Sequence, residues 1–196
     1  MTAVKEREVT YVEKDAKPPL VISNNPADHT PFDKKDEYWR YLPARQFDGF
    51  ASTAPAVGDP NFQVSNASVL HSITTGGING LRVRDVVTAT ALAAEHNQFI
   101  VSVDKAANGK LVELDFAATS ESNSAVEINV LEQVETQIVL RDRCQGNTAL
   151  SLAINIGKGA IVKFVVLTEE SATGIHYGHI SANIGRDSAL TFGVIS

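Results

Sequence analysis

His176 and His179, three residues apart and close to the acidic pair Glu169 and Glu170, are the chain's strongest candidates for metal ligands. Imidazole with carboxylate is a donor set that suits iron or zinc. On a regular strand, positions i and i+3 face opposite ways, so both rings reach one ion only if Gly178 bends the backbone between them. The single cysteine, Cys144, lies in Arg141-Asp142-Arg143-Cys144-Gln145-Gly146. Two cationic neighbours would lower a thiol's pKa toward the reactive thiolate. The Gln-Gly-Asn that follows reads as an exposed loop, and Cys144 is either an inert thiol, as lone cysteines more often are, or one open to sulfur handling or cluster contact. Thr74-Thr75-Gly76-Gly77-Ile78-Asn79-Gly80 lacks both the Walker lysine and the dinucleotide glycine spacing, and reads as a turn. Trp39 and Tyr41, within Asp36-Glu37-Tyr38-Trp39-Arg40-Tyr41-Leu42-Pro43, are candidate partner-binding anchors, since buried aromatics dominate interface energetics, and packing back on the chain's own sheet is the equal alternative. No nucleophile motif accompanies these residues, and no catalytic residue is expected.

Composition narrows the classes that remain. With 196 residues and 43% hydrophobic content the chain suffices for one domain, or one plus an appendage, with a real core. A formal charge of -6 and a pI near 5.3 leave no extended basic patch for a phosphate backbone, so nucleic acid is not an expected partner. One cysteine permits neither an intrachain disulfide nor a four-cysteine metal site, which fits a reducing cytoplasm. The start, Met1-Thr2-Ala3-Val4-Lys5-Glu6-Arg7-Glu8, is charged, and no window approaches the roughly 20 apolar residues of a membrane span. Neither export nor a membrane association is expected.

These residues must be positioned by three regions. Residues 1–30, with Pro18-Pro19 and Asn24-Asn25-Pro26, read as a mobile leader. Residues 31–98 read as a helical or mixed region: a short amphipathic helix from Phe32 to Tyr41 stopped by Pro43, a linker from Ala51 to Asn66, a strand–turn–strand from Val69 to Leu81, and an Ala-rich helix from Val83 to Asn97 capped at Asp85. Residues 99–196 alternate apolar and polar positions, as half-buried strands do. A small residue followed by Ala and an apolar residue recurs at Ala125, Ala149, Ala160 and Ala189, with spacings of 24, 11 and 29. A solenoid with two strands per coil and a repeated small corner residue accounts for this, so the expected fold is mainly β: a right-handed parallel β-helix preceded by a small α/β region. A β-sandwich uses similar strand spacing and stays open. Leu190-Thr191-Phe192-Gly193-Val194-Ile195 would form an open apolar edge, covered by another subunit, by a second copy of the chain, or by further chain.

Three segments carry a likeness to a known family. They are Glu37-Tyr38-Trp39-Arg40-Tyr41-Leu42-Pro43-Ala44-Arg45, Asn155-Ile156-Gly157-Lys158-Gly159-Ala160, and Ile175-His176-Tyr177-Gly178-His179 with Ile184-Gly185-Arg186-Asp187-Ser188. They resemble the SufB/SufD family, the core scaffold subunits of the Suf iron–sulfur cluster assembly machinery, and SufD more than SufB; the second resembles a corner, and the third a strand–corner–strand, of that family's β-helix. Leu42, Ala44 and Ser188 depart from the family pattern, which has Thr, Leu and Ala there. The likeness runs from about Tyr38 to the end, patchily before Phe99. Family members continue past this point through more β-helix and a helical region, so the chain resembles an N-terminal portion. The resemblance implies a non-catalytic scaffold that pairs with a SufB-like subunit and, through regions beyond residue 196, with a SufC-like ABC-type ATPase. It also implies that no cofactor is bound tightly by this chain, the iron–sulfur cluster being assembled at the level of the complex. The alternative from another class is a β-helix carbohydrate-active enzyme, which needs a carboxylate pair in a groove. A cupin-type metal enzyme would place its histidines one residue apart, a spacing that His176 and His179 do not have.

Overall fold

Alternation dictates the architecture. In β6 (Glu135–Cys144) Thr136, Ile138, Leu140, Asp142 and Cys144 are buried, while Glu135, Gln137 and Arg143 are exposed. That is the period of a strand with one core face. The computed structural model describes residues 21–32, 60–64, 70–75, 77–94, 97–118, 121–170 and 174–196. In it β4 (Leu111–Ala118), β6, β8 (Ile161–Glu170) and β10 (Ala189–Ile195) pair in parallel. A second parallel set contains β3 (Gln98–Val103), β5 (Ser122–Val130), β7 (Thr148–Ile156) and β9 (His176–Ile184). The chain passes from one sheet to the other and back, so that each coil contributes one strand to each sheet. The result is a β-solenoid of about 4 turns, the expected fold, and not the sandwich that the strand spacing left open. Inward residues of both sheets, including Leu114, Phe116, Ile128, Ile138, Leu140, Leu152, Ile154 and Phe164, form one core.

The corners fix how the coils stack. Gln133, Gly159 and Asp187 occupy the same corner in successive coils, all at positive φ (59°, 67° and 59°). The amide of Gln133 donates to the carbonyl of Lys158 (2.9 Å) and that of Gly159 to Arg186 (3.0 Å), so each corner is hydrogen-bonded to the next. The Gly157-Lys158-Gly159 and Gly185-Arg186-Asp187 segments are therefore solenoid corners, as expected. At Gly157 a Cβ would lie 2.7 Å from the Glu132 nitrogen and 2.9 Å from the Val130 carbonyl oxygen, so only glycine permits this approach.

The described residues from Asn61 to Ala94 are folded onto the solenoid. β1 (Asn61–Val64), inside the expected linker, pairs antiparallel with β4, and β2 (Leu70–Thr75) pairs antiparallel with β3. Phe62 and Phe99 stack at 5.3 Å over the first coil. The strand–turn–strand expected from Val69 to Leu81 is realised only in its first half. Residues 77–85 instead run over the outer face of the second sheet, because the amides of Asn79 and Gly80 both donate to Glu127 Oε2 at 2.9 Å. Helix α1 (Val86–Ala93) is shorter than the expected Val83–Asn97, although Asp85 caps it as foreseen, accepting from the Thr88 amide at 2.8 Å. Its end coincides with Gln98 donating through Nε2 to the Leu92 carbonyl (2.6 Å), which turns the chain into β3. Ala89 and Ala91 of the helix cluster with Ala125 and Ala153 of the sheet, small against small. The opposite end differs: β9 and β10 are the last strands of their sheets, and Ile180, Ile184, Phe192 and Val194 are exposed there. The leader before residue 21 and the helix expected around Trp39 and Tyr41 lie outside the described residues.

Replacing Gly157 by alanine forces backbone of adjacent coils apart. Urea denaturation should show Gly157→Ala less stable by about 1–3 kcal/mol. Gly193→Ala, where a Cβ meets nothing within 4 Å, should show no loss.

Candidate functional site

Strand parity sorts the Arg141-Asp142-Arg143-Cys144 segment into two chemistries. Arg141 and Arg143 face outward and pair with acidic residues of neighbouring coils, Arg141 with Glu113 (3.3 Å) and Arg143 with Asp115 (3.2 Å) and Glu169 (3.4 Å). Asp142 and Cys144 face the lumen. Cys144 is buried, with Sγ 2.9 Å from Asp142 Oδ1. Burial, reinforced by the Asp142 carboxylate, pushes the thiol up to about 12. This corrects the expectation of an exposed thiol activated by its arginines: on a strand those side chains point away from it.

His176, the first residue of β9, also faces the lumen. Its Nε2 lies 2.9 Å from Asp142 Oδ2 and its Nδ1 lies 3.0 Å from Thr148 Oγ1. Asp142, Cys144 and His176 thus come together, their ligand atoms all within 4.8 Å of one another. Ser122, Thr148 and His176 hold the same ladder position in successive coils. Ser122 is fully buried, and its hydroxyl has no hydrogen-bond partner among the described residues.

His179 sits on the other side of the sheet. β9 continues through Gly178 without a break, so the two histidines are not brought to one ion. The Nδ1 of His179 lies 3.7 Å from Asp85 Oδ2 and its Nε2 3.1 Å from Ser181 Oγ. Acid, imidazole and hydroxyl stand in the order of a proton relay, but 3.7 Å exceeds a hydrogen bond. Asp85 is committed to the helix N-terminus through Thr88 N and Thr88 Oγ1, both at 2.8 Å. Burial pulls the His179 pKa down, Asp85 opposes and Arg84 assists. Burial, and then Asp85, pushes the neighbouring Tyr177 phenol up. Neither aspartate stands out in the sequence as a site residue. Asp142 was findable, because it shares the parity of Cys144 in an alternating strand. Trp39 and Tyr41 lie outside the described residues.

Fold and site together define a two-sheeted parallel β-solenoid with a thiol, a carboxylate and an imidazole meeting in its lumen. No family model, no curated protein and no solved structure matches the chain. No helix among the described residues is long and apolar enough to cross a membrane.

Two measurements check this electrostatic picture. Cys144 in the metal-free folded protein should react with a disulfide reagent at pH 8 at least about tenfold more slowly than after denaturation, because the buried thiol yields little thiolate. The folded pKa of His179 lies below its ordinary 6.5, so the unfolded chain takes up the proton more readily. The associated stability is present above about pH 6.5 and is lost as the pH falls through the folded value. Denaturation midpoints followed across this range should fall toward acid in the native chain and fall less steeply in His179→Gln.

Proposed function

We propose that the chain is a non-catalytic scaffold subunit of a Suf-type iron–sulfur cluster assembly complex, pairing with a SufB-like subunit and working with a SufC-like ABC-type ATPase. One observation carries this reading. The segment from Ile175 to Ser188, on which the family likeness rests most heavily in the second half of the chain, runs as strand β9, a corner with Asp187 at positive φ, and the entry to strand β10. That is the strand–corner–strand the resemblance implies. Asn155 to Ala160 occupies the same corner one coil earlier. The iron–sulfur cluster is the cargo of such a complex rather than a resident group of this chain.

The partner surface lies on the β-helix, and the edge formed by β9 and β10 is taken either by the SufB-like partner or by the further coils that the resemblance implies. Both strands are terminal in their sheets, and between them Ile180, Ile184, Phe192 and Val194 are exposed. Strand edges with free amides and carbonyls beside apolar side chains recruit further strands. Coexpression with a SufB-like subunit, followed by anaerobic size-exclusion chromatography, should give a stoichiometric complex. Separate elution of the two proteins would overturn the reading.

A further inference from the structure

We propose that Asp142, Cys144 and His176 bind one divalent transition-metal ion of the zinc type inside the solenoid, with water as the fourth ligand. The site does not depend on the scaffold reading, and concerns an ion resident in this chain rather than a cluster under assembly.

The donors are of three kinds and come from both sheets. Asp142 and Cys144 stand at i and i+2 of β6, which puts their side chains on one face, and His176 reaches them from β9. Thiolate, imidazole and carboxylate together suit zinc and its neighbours in the first transition row. Zn–S near 2.3 Å and Zn–N near 2.0–2.1 Å place tetrahedral ligand atoms about 3.3–3.8 Å apart. The atoms here lie within 4.8 Å of one another, with Asp142 at 2.9 Å from both of the others, so small side-chain rotations open the space.

Charge favours an ion. The Asp142 side chain is 1% exposed, and no arginine or lysine among the described residues pairs with it, since Arg141 and Arg143 are engaged on the outer face. A buried carboxylate held only by a thiol and an imidazole gains further from a cation bound beside it. Binding of the ion releases one proton, from the Cys144 thiol, and forms metal–sulfur, metal–nitrogen and metal–oxygen bonds. Thiolate and carboxylate then balance the two positive charges of the metal, and the buried site is neutral. Second-sphere groups are in place as well. Thr148 Oγ1 holds His176 Nδ1 at 3.0 Å, which fixes the ring and leaves Nε2 directed at the site. The Ser122 hydroxyl, fully buried and without a partner among the described residues, lies one coil before Thr148 on the same lumenal ladder.

The test is an anaerobic titration of the full chain, stripped with chelator, by Co(II) followed by absorption. One equivalent should bind, with a near-ultraviolet thiolate charge-transfer band and the strong visible bands of four-coordinate cobalt, and Zn(II) should displace it. Cys144→Ser should lose the charge-transfer band, and Asp142→Asn and His176→Gln should weaken binding by at least about tenfold, a loss that outer-sphere changes already reach. His179→Gln, on the opposite face, should leave the spectrum unchanged. Failure to bind one equivalent, a charge-transfer band that survives Cys144→Ser, or equal weakening by His179→Gln would overturn the site. Should a lumenal variant not fold by circular dichroism, X-ray absorption of the zinc-loaded native chain decides instead. One sulfur among nitrogen and oxygen neighbours supports the site, and a shell without sulfur refutes it.

Discussion

Each coil of this molecule must return to the register of the coil before it, and everything else depends on that return. In β5, β7 and β9 the ladder runs Ile128, Ile154, Ala182 toward the lumen and Asn129, Asn155, Asn183 away from it. A slip of one residue in any coil would carry its apolar set to the outside and its polar set into the core. The register is pinned from both faces. Inside, the apolar ladders exclude water. Outside, Asn155 Nδ2 donates to Asn129 Oδ1 (2.8 Å) and Asn183 Nδ2 to Asn155 Oδ1 (2.7 Å), so that each amide is satisfied only when its neighbour is one coil away. The corners add a third restraint, since their positive-φ residues and closely approached glycines fit only one vertical alignment.

Stacking has a chemical consequence. A side chain at one position has, as its nearest lumenal neighbours, the residues at the same position in the coils above and below. Phenylalanine meets phenylalanine in this way, Phe164 and Phe192 stacking at 5.7 Å with rings 12° apart. Polar residues obey the same rule. Ser122, Thr148 and His176 form one lumenal column, and Asp142 faces that column from the other sheet. The cluster lies where β6 ends and β7 and β9 begin, at one narrow edge of the core. An edge position tolerates polarity better than the middle of the sheets, where Leu140, Leu152 and Phe164 leave no group to pair with. A buried carboxylate repays its desolvation only with close partners, and the column supplies them.

The outer face of the second sheet is covered by a segment that is itself held by buried polar groups. Glu127, 8% exposed, receives the amides of Asn79 and Gly80 through Oε2 and the Asn129 side chain through Oε1 at 2.8 Å. These three donors explain why a charged residue sits under a covering layer. Asp85 plays the same part at the helix start, and the small residues Ala125 and Ala153 beneath let the helix approach the sheet closely. A bulky residue at either position would lift α1 from the sheet, so alanine there reports the covering layer rather than a corner.

Alanines under the covering layer explain where the sequence misleads. Alternation in Leu111–Ala118 and Glu135–Cys144 is plain, and it made the half-buried strands legible; the step from strands to a solenoid rested on the recurring alanines. The recurring alanines were not corner markers: Ala125 and Ala149 lie within strands, on the covered face, and only Ala160 and Ala189 stand at a corner. The true repeat is carried by Asn129, Asn155 and Asn183, whose separations of 26 and 28 match the coil length. The site was misjudged for a related reason. Arg141 and Arg143 are close to Cys144 along the chain but face solvent, whereas Asp142 shares its parity and its surroundings. His176 and His179 look paired by spacing and are separated by the sheet, while His176 and Cys144 look unrelated and meet. Short spacing brings ligands together on a helix or in a tight loop. In a solenoid the sheet parts such neighbours, and the groups that can share an ion are those of equal parity one coil apart or facing across the lumen.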